Sequence, residues 1–174
     1  LNSLTECVNT SVNFGELCIY NQKKRMGIED LIKQEKFSNE AEKTIVNISF
    51  TNSYLSGLLN SAIRDFNISL QQFNVLRILQ GQHPSPVSIN EITSRMVDKM
   101  SNASRLVDKL DDKELVKRKT SCHDKRQVDI SITETGQKTL SELNVIVNQI
   151  IQDHSHLTPS EYEMLNHLLD KLRK

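Results

Sequence analysis

The stretch SNASRLVDKLDDKELVKR, residues 101–118, decides the fold of this chain. Its first half repeats apolar residues at three- and four-residue steps, which predicts an amphipathic helix. Leu115-Val116 follows and opens a strand, because the period of the apolar residues changes to two in this part of the chain, where Val128, Ile130 and Ile132 alternate with polar residues. The segment therefore predicts a helix followed by the first strand of a β-hairpin. The apolar residues of the helix face are Ala103, Leu106, Val107 and Leu110.

The second strand of this hairpin is carried by Val128, Ile130 and Ile132, which alternate with polar residues. The run TSCHDKR at residues 120–126 lies between the two strands and is polar apart from Cys122. This pattern predicts a β-hairpin with a long, exposed, basic tip. Such a wing can reach a DNA minor groove while the preceding helix lies in the major groove.

Two shorter helices precede this unit, and the sequence marks where each one begins. Ser69 with Gln72, and Ser88 with Glu91, have the spacing of a capping box. The link GQHPSP, residues 81–86, is rich in turn-forming residues and separates the two helices. These signals predict two compact helices joined by a turn.

A short break at Val97–Met100 separates the second of these helices from the one that begins near residue 101. We expect Asp98 or Ser101 to cap the helix after the break. Two short helices, a tight break and a second helix with a polar leading end are typical of a helix-turn-helix. With the hairpin, the sequence predicts a winged helix-turn-helix over residues 69–133.

Long helices are predicted on both sides of this unit. One runs from Ser38 to about Asp65, a second begins after Thr133, and a third begins at Thr158-Pro159. Their apolar faces have no cover within so small a domain, so we expect residues 38–66 and 134–174 to form the interface of a homodimer. The predicted fold class is therefore mainly α with a small β-hairpin wing, in which long N- and C-terminal dimerisation helices flank the winged helix-turn-helix.

The composition excludes several other classes of protein. The chain has 174 residues, 37% apolar and 25% charged, with only 5 Gly and 3 Pro, which argues against a turn-rich β-sandwich or a glycine-looped nucleotide enzyme. Three Cys do not form a disulfide framework, and no apolar run reaches the roughly 20 residues that a membrane helix needs. We expect a cytoplasmic protein without a membrane segment.

The charges are unevenly distributed although the formal net charge is zero. Between Arg95 and Arg126 there are ten Lys or Arg against six Asp or Glu, and acidic residues exceed basic ones elsewhere. A basic block of this kind is expected of a surface that faces phosphates, and a solvated helix face is the alternative interpretation.

The strings SNASRLVDKLDDKELVKR and DKRQVDISITETG, the latter at residues 124–136, resemble the MarR family of bacterial transcriptional regulators. The resemblance covers roughly residues 38–174. It implies an obligate homodimer, a pseudo-palindromic promoter site in double-stranded DNA, and release by a small effector, often an aromatic or phenolic acid, between the dimer helices and the DNA-binding lobe. One departure is Lys113-Glu114, where the family commonly has a Gly before the strand.

Polar residues of the helix and of the wing are the candidate DNA contacts. Asn102 and Ser104 can hydrogen-bond base edges, and Arg105 suits a phosphate or a guanine unless it pairs with an acid of its own helix. Arg126 suits a narrow minor groove, and Asp124 would brace the wing by pairing with a nearby Arg. The predicted DNA-binding residues are Ser101, Asn102, Ser104, Arg105, Lys109, Lys125 and Arg126.

The sequence contains no nucleophile–base pair, metal motif or phosphate loop, so we expect neither an enzyme nor a cofactor. Cys122 and His123 are adjacent on a strand and would point to opposite faces. The alternative function is a winged helix that makes protein contacts without binding DNA. Residues 1–25 show no apolar period, and we expect a disordered extension or an appended non-native segment there, with a natural flexible arm as the alternative. The MarR-type domain would then be residues 26–174.

Overall fold

The computed structural model describes residues 26–120 and 127–174. The described residues divide into two compact units, one before and one after the boundary between Asn52 and Ser53. The predicted extension at 1–25 and the wing tip at 121–126 lie outside the described residues. The described helices and strands are α1 (Ile28–Ile32), α2 (Glu40–Ala62), α3 (Leu70–Gln80), β1 (Val87–Ser88), α4 (Ile89–Arg95), α5 (Ala103–Asp111), β2 (Val116–Thr120), β3 (Val128–Ile132), α6 (Glu134–Asp153) and α7 (Pro159–Leu172).

The described part of the first unit contains α1 and the beginning of α2. Asn39 caps α2, since its side-chain oxygen accepts a hydrogen bond from the backbone N–H of Glu42 at 2.9 Å. Glu29 of α1 forms an ion pair with Lys43 of α2, and the hydrogen bond from Lys43 lowers the pKa of the Glu29 carboxyl. Sequence analysis did not predict α1, because five residues are too short to show a helical period.

The core of the second unit is formed by α3 to α6 and the sheet. The sheet has the order β1-β3-β2 and both pairings are antiparallel, with Val87 opposite Ile130 and Val116 opposite Ile132. Each of the four helices α3 to α6 turns its apolar face toward this sheet or toward its neighbours. The predicted winged helix-turn-helix is therefore confirmed. Fully buried side chains of this core include Leu76, Leu79, Ile92, Val107, Leu110, Ile130, Leu140 and Leu143.

The helix starts follow the capping signals of the sequence. Ser69 and Gln72 form a reciprocal capping box at α3, and Thr158 and Glu161 form another at α7, which has Pro159 in its first turn. Ser88 accepts a hydrogen bond from the backbone N–H of Glu91 at the start of α4. The predicted starts of these three helices are therefore confirmed.

The junction between β2, β3 and α6 is closely packed. Thr133 caps α6 by accepting from the backbone N–H of Gly136 at 3.0 Å, and its hydroxyl donates to the carbonyl of Glu114 at 2.8 Å. A Cβ atom on Gly136 would overlap the carbonyl oxygen of Leu115, so only glycine allows α6 to approach this backbone. These contacts fix the start of α6 against the residues that join α5 to β2.

Candidate nucleic-acid interface

The helix α5 is held by its apolar face and presents its polar face to solvent. Ala103, Val107 and Leu110 are buried in the core. Ser104, Arg105 and Lys109 are exposed, and their side chains have no hydrogen-bond or ion-pair partner within residues 26–120 and 127–174. A rigid helix with unpaired polar side chains on its outer face is suited to bind an external partner.

Asn102 caps α5, contrary to the expectation that Asp98 or Ser101 does so. The Asn102 side-chain oxygen accepts a hydrogen bond from the backbone N–H of Arg105 at 3.0 Å. Asp98 instead orders the turn before the helix, because its carboxylate accepts from the Ser101 hydroxyl at 2.8 Å and from the Met100 N–H at 3.0 Å. These bonds, that from Ser101 first, lower the pKa of the Asp98 carboxyl.

The turn before α5 exposes two apolar side chains that sequence analysis treated only as part of a break. Val97 is 85% exposed and Met100 is 93% exposed. The turn is attached to α3, since the Val97 N–H donates to the side-chain oxygen of Asn74 at 3.0 Å. The sequence signal for these exposed side chains was a pair of apolar residues in a turn that contains neither Gly nor Pro. Both residues lie beside the polar leading end of α5.

An ion pair joins the recognition helix to the wing. Arg118 of β2 donates to the carboxylate of Asp108 on α5. Arg105 forms no ion pair with Asp108 or Asp112, so the self-paired alternative is not observed among the described residues. Because both partners of the Arg118–Asp108 pair are partly exposed, its main effect is to orient β2 against α5 and not to stabilise the fold.

The structure thus brings five of the predicted site residues to one end and one outer face of α5. Ser101 and Asn102 already use one polar atom each within the chain. Lys125, Arg126 and the predicted bracing residue Asp124 lie outside the described residues.

The helices α2 and α7 expose apolar side chains. No residue of α7 is buried, and none of α2 is. Together with Leu157 just before it, α7 forms an apolar surface that nothing in the described chain covers. The large exposed apolar residues of this surface are Leu157, Met164, Leu165, Leu168 and Leu172.

No cluster of three or more His, Cys, Asp or Glu that could hold a metal ion occurs in the described ranges. In the same ranges, none of the helices has the length and apolar character needed to cross a membrane.

The sequence of this chain matches one family model and a known regulator. A sequence model of the MarR family matches residues 68–128. The HTH-type transcriptional regulator TcaR of Staphylococcus aureus strain Newman is 32% identical over 130 residues, which are 69% of this chain and 84% of TcaR.

Solved structures share the fold. A mutant MarR from E. coli in complex with operator DNA matches with a TM-score of 0.69 and 24% identity, over 79% of this chain and 99% of that one. The organohalide-sensing regulator RdhR in its 2,4-dichlorophenol-bound form matches with a TM-score of 0.71 and 20% identity, over 80% of this chain and 85% of that one. The mainly helical fold with its small winged sheet is therefore shared with regulators of known structure.

Proposed function

Because the chain belongs to the MarR family, we propose that it binds a pseudo-palindromic site in double-stranded DNA as a homodimer, with α5 of each protomer in a major groove. As a member of this family it is a DNA-binding transcriptional regulator. The observation that carries the proposal is α5 itself, a helix fixed by its buried face whose exposed Ser104, Arg105 and Lys109 have no partner in the described chain.

The proposed contacts are divided by chemistry. Asn102 and Ser104 hydrogen-bond base edges, with the amide hydrogens of Asn102 still available to donate. Arg105 contacts a phosphate or a guanine. The exposed Val97 and Met100 suit the methyl groups of thymine in the same groove. Further contacts proposed from the sequence are Ser101 in the turn before α5, Lys109 on α5, and Lys125 and Arg126 on a wing braced by Asp124.

The homodimer is proposed from the uncovered apolar faces. Residues 38–66 and 134–174 supply the dimer helices, and residues 69–133 supply the DNA-binding lobe. The exposed leucines of α7 support this assignment, since an apolar surface of this kind is typical of a protein interface. Twofold symmetry would present two copies of α5 to successive major grooves on one side of the DNA.

We propose regulation by a small molecule because the chain belongs to the MarR family. The RdhR structure contains a dichlorophenol. By analogy, a small aromatic or phenolic effector binds this protein between the dimer helices and the DNA-binding lobe and releases it from a promoter that it represses. The proposal places the protein in the cytoplasm with the DNA and assigns it no catalytic step.

A footprint on the DNA that flanks its own gene tests the proposal. We expect protection of two half-sites about 10 bp apart, with affinity that falls steeply as salt concentration rises. Absence of salt-dependent binding to duplex DNA would contradict the proposal and favour a winged helix that binds only proteins.

A further inference from the structure

A cleft lies beside the distal end of the recognition helix. It has a volume of about 360 Å³ and lies between the end of α2, the start of α3 and the last turn of α5. Three of the residues that line the cleft are cations, namely Arg64, Lys109 and Lys113. None of the lining residues is acidic. Three cations without an acid give the cleft a positive potential, which favours an anion.

Uncharged donors converge on the same cleft. The start of α3 lies here with no acidic residue in its first turn, so the partial positive charge of the helix terminus is uncompensated. Gln72 lines the cleft and is only 4% exposed. Its side-chain oxygen accepts from the Ser69 N–H at 3.0 Å, whereas its Nε2 donor has no partner among the described residues. A buried donor without a partner is costly. Because the Nε2 atom is closed off from solvent, the Gln72 side chain has to shift before it can donate to an oxyanion in the cleft.

We propose that this cleft binds a phosphate group of the DNA backbone. Arg105 and Lys109 lie four residues apart on α5, and Lys113 follows four residues later, just beyond the end of the helix at Asp111. At about 1.5 Å per residue, the last residue of α5, Asp111, lies about 9 Å beyond Arg105 along the helix axis, and Lys113 follows in the turn beyond it. The major groove is about 12 Å wide. When the leading end of α5 meets the base edges, its distal end therefore reaches a bordering phosphate strand. This inference rests on the proposed function.

Lys113 also holds the walls of the cleft together. Its ammonium donates to the carbonyl of Asn67, which joins the end of α5 to the turn before α3. Removing Lys113 would therefore change the fold as well as the charge. Arg64 is the better target, because it is exposed and its side chain has no partner in the described part of the chain.

The first test compares Arg64→Gln with Arg77→Gln. Arg77 is a matched control on α3, outside the residues that line the cleft, with its guanidinium 5.8 Å from the ring centre of Phe73. Affinities are measured by fluorescence anisotropy on the operator and on a random duplex across a range of salt concentrations. We expect Arg64→Gln to reduce the slope of log affinity against log salt by about 1.8 on both DNAs, about 0.9 for each protomer of the dimer. Arg77→Gln should leave the slope unchanged.

The second test uses Gln72→Glu, which keeps the helix cap and changes the charge beside the cleft. Glutamate at this position preserves the capping box, because its carboxylate still accepts the Ser69 N–H. It replaces the amide donor with a negatively charged oxygen that repels phosphate. We expect a lower melting temperature, because the second carboxylate oxygen is buried without a donor. At a temperature where the variant is folded, we expect an equal fold-loss of affinity for operator and random DNA.

The outcomes distinguish this inference from the proposed function. If the unmodified protein binds no duplex DNA, the proposed function fails. If it binds with a normal salt slope and Arg64→Gln has the same slope, only the phosphate cleft is overturned. Inorganic phosphate at constant ionic strength is the third arm. If it displaces DNA from the unmodified protein but not from Arg64→Gln, and the two slopes are equal, the cleft takes a free anion and the proposal is overturned.

Discussion

The side-chain oxygen of Asn102 accepts a hydrogen bond from the backbone N–H of Arg105 at 3.0 Å, so the residue at the tip of the recognition helix is also the cap that begins it. The cap uses only the oxygen of the amide. Its NH₂ group remains able to donate to an acceptor outside the chain. Because the cap fixes the orientation of the side chain, one residue can both stabilise α5 and contact DNA.

The first prediction concerns this dual role. Asn102→Ala should lower the free energy of unfolding by about 1 kcal/mol, because the N–H groups of the first turn of α5 lose an acceptor. Asn102→Ser should retain most of that stability, since serine is an equally good cap. Urea denaturation measures both values. An alanine variant as stable as the unmodified protein would show that the cap contributes little.

The second prediction concerns Gly136. Gly136→Ala should destabilise the protein by about 3 kcal/mol or more, because the new methyl group meets backbone that cannot move without separating α6 from β2. Gly57→Ala is the matched control, as a Cβ there meets nothing within 4 Å inside α2. We expect that variant to be more stable by about 0.5–1 kcal/mol. Thermal or urea unfolding compares them, and equal effects would contradict the close approach.

The third prediction concerns the residue where the family commonly has a glycine. Glu114 has φ 58°, in the left-handed region between α5 and β2. Glu114→Gly should stabilise the protein by up to about 1 kcal/mol, because glycine adopts this conformation without a Cβ clash. Glu114→Ala removes the same carboxylate but keeps the Cβ, and should give no gain. If both substitutions had the same effect on unfolding, backbone strain would not be the cause.

Much of this fold could be predicted from the sequence because its signals are local. The capping residues Ser69, Ser88 and Thr158 act on N–H groups three residues away, and each marks a helix that the structure contains. The apolar spacing of α5 likewise predicts the face that is buried. The strand β1, by contrast, has only two residues and exists because β3 is beside it. A contact of that kind leaves no periodicity in the sequence.

The candidate site was only partly predictable for a similar reason. The polar residues of α5 can be identified from the sequence. Which of them form hydrogen bonds or ion pairs within the chain cannot. Whether Asp98 caps the helix or orders the preceding turn depends on backbone geometry at Met100 and Ser101. The cleft beside Arg64 depends on residues more than forty positions apart, Arg64 and Lys109, which only the tertiary fold brings together.

The fourth prediction concerns the dimer. Removing residues 158–174 should abolish the dimer, because the exposed leucines of α7 are then lost. Leu165→Glu with Leu168→Glu should have the same effect without shortening the chain, since charges would be buried in an apolar interface. Sedimentation velocity measures the oligomer. A truncated chain that still sediments as a stable dimer would contradict this assignment. The matched control is the double variant Glu163→Gln with Asp170→Asn on the same helix, which should remain dimeric.

The last prediction distinguishes sequence reading from backbone attraction. Arg126→Ala removes a wing cation that we expect in the minor groove, where attraction depends on groove width and phosphate density. It should weaken binding to operator and random DNA together and reduce the salt slope by about one charge for each protomer of the dimer. Asn102→Ser keeps the helix cap but shortens the side chain aimed at base edges. It should cost roughly 1–3 kcal/mol on the operator, with almost no effect on random DNA or on the salt slope. Anisotropy titrations on both DNAs at several salt concentrations measure these quantities. The same pattern from both variants would require us to withdraw the assignment of α5 to the major groove and of the wing to the minor groove.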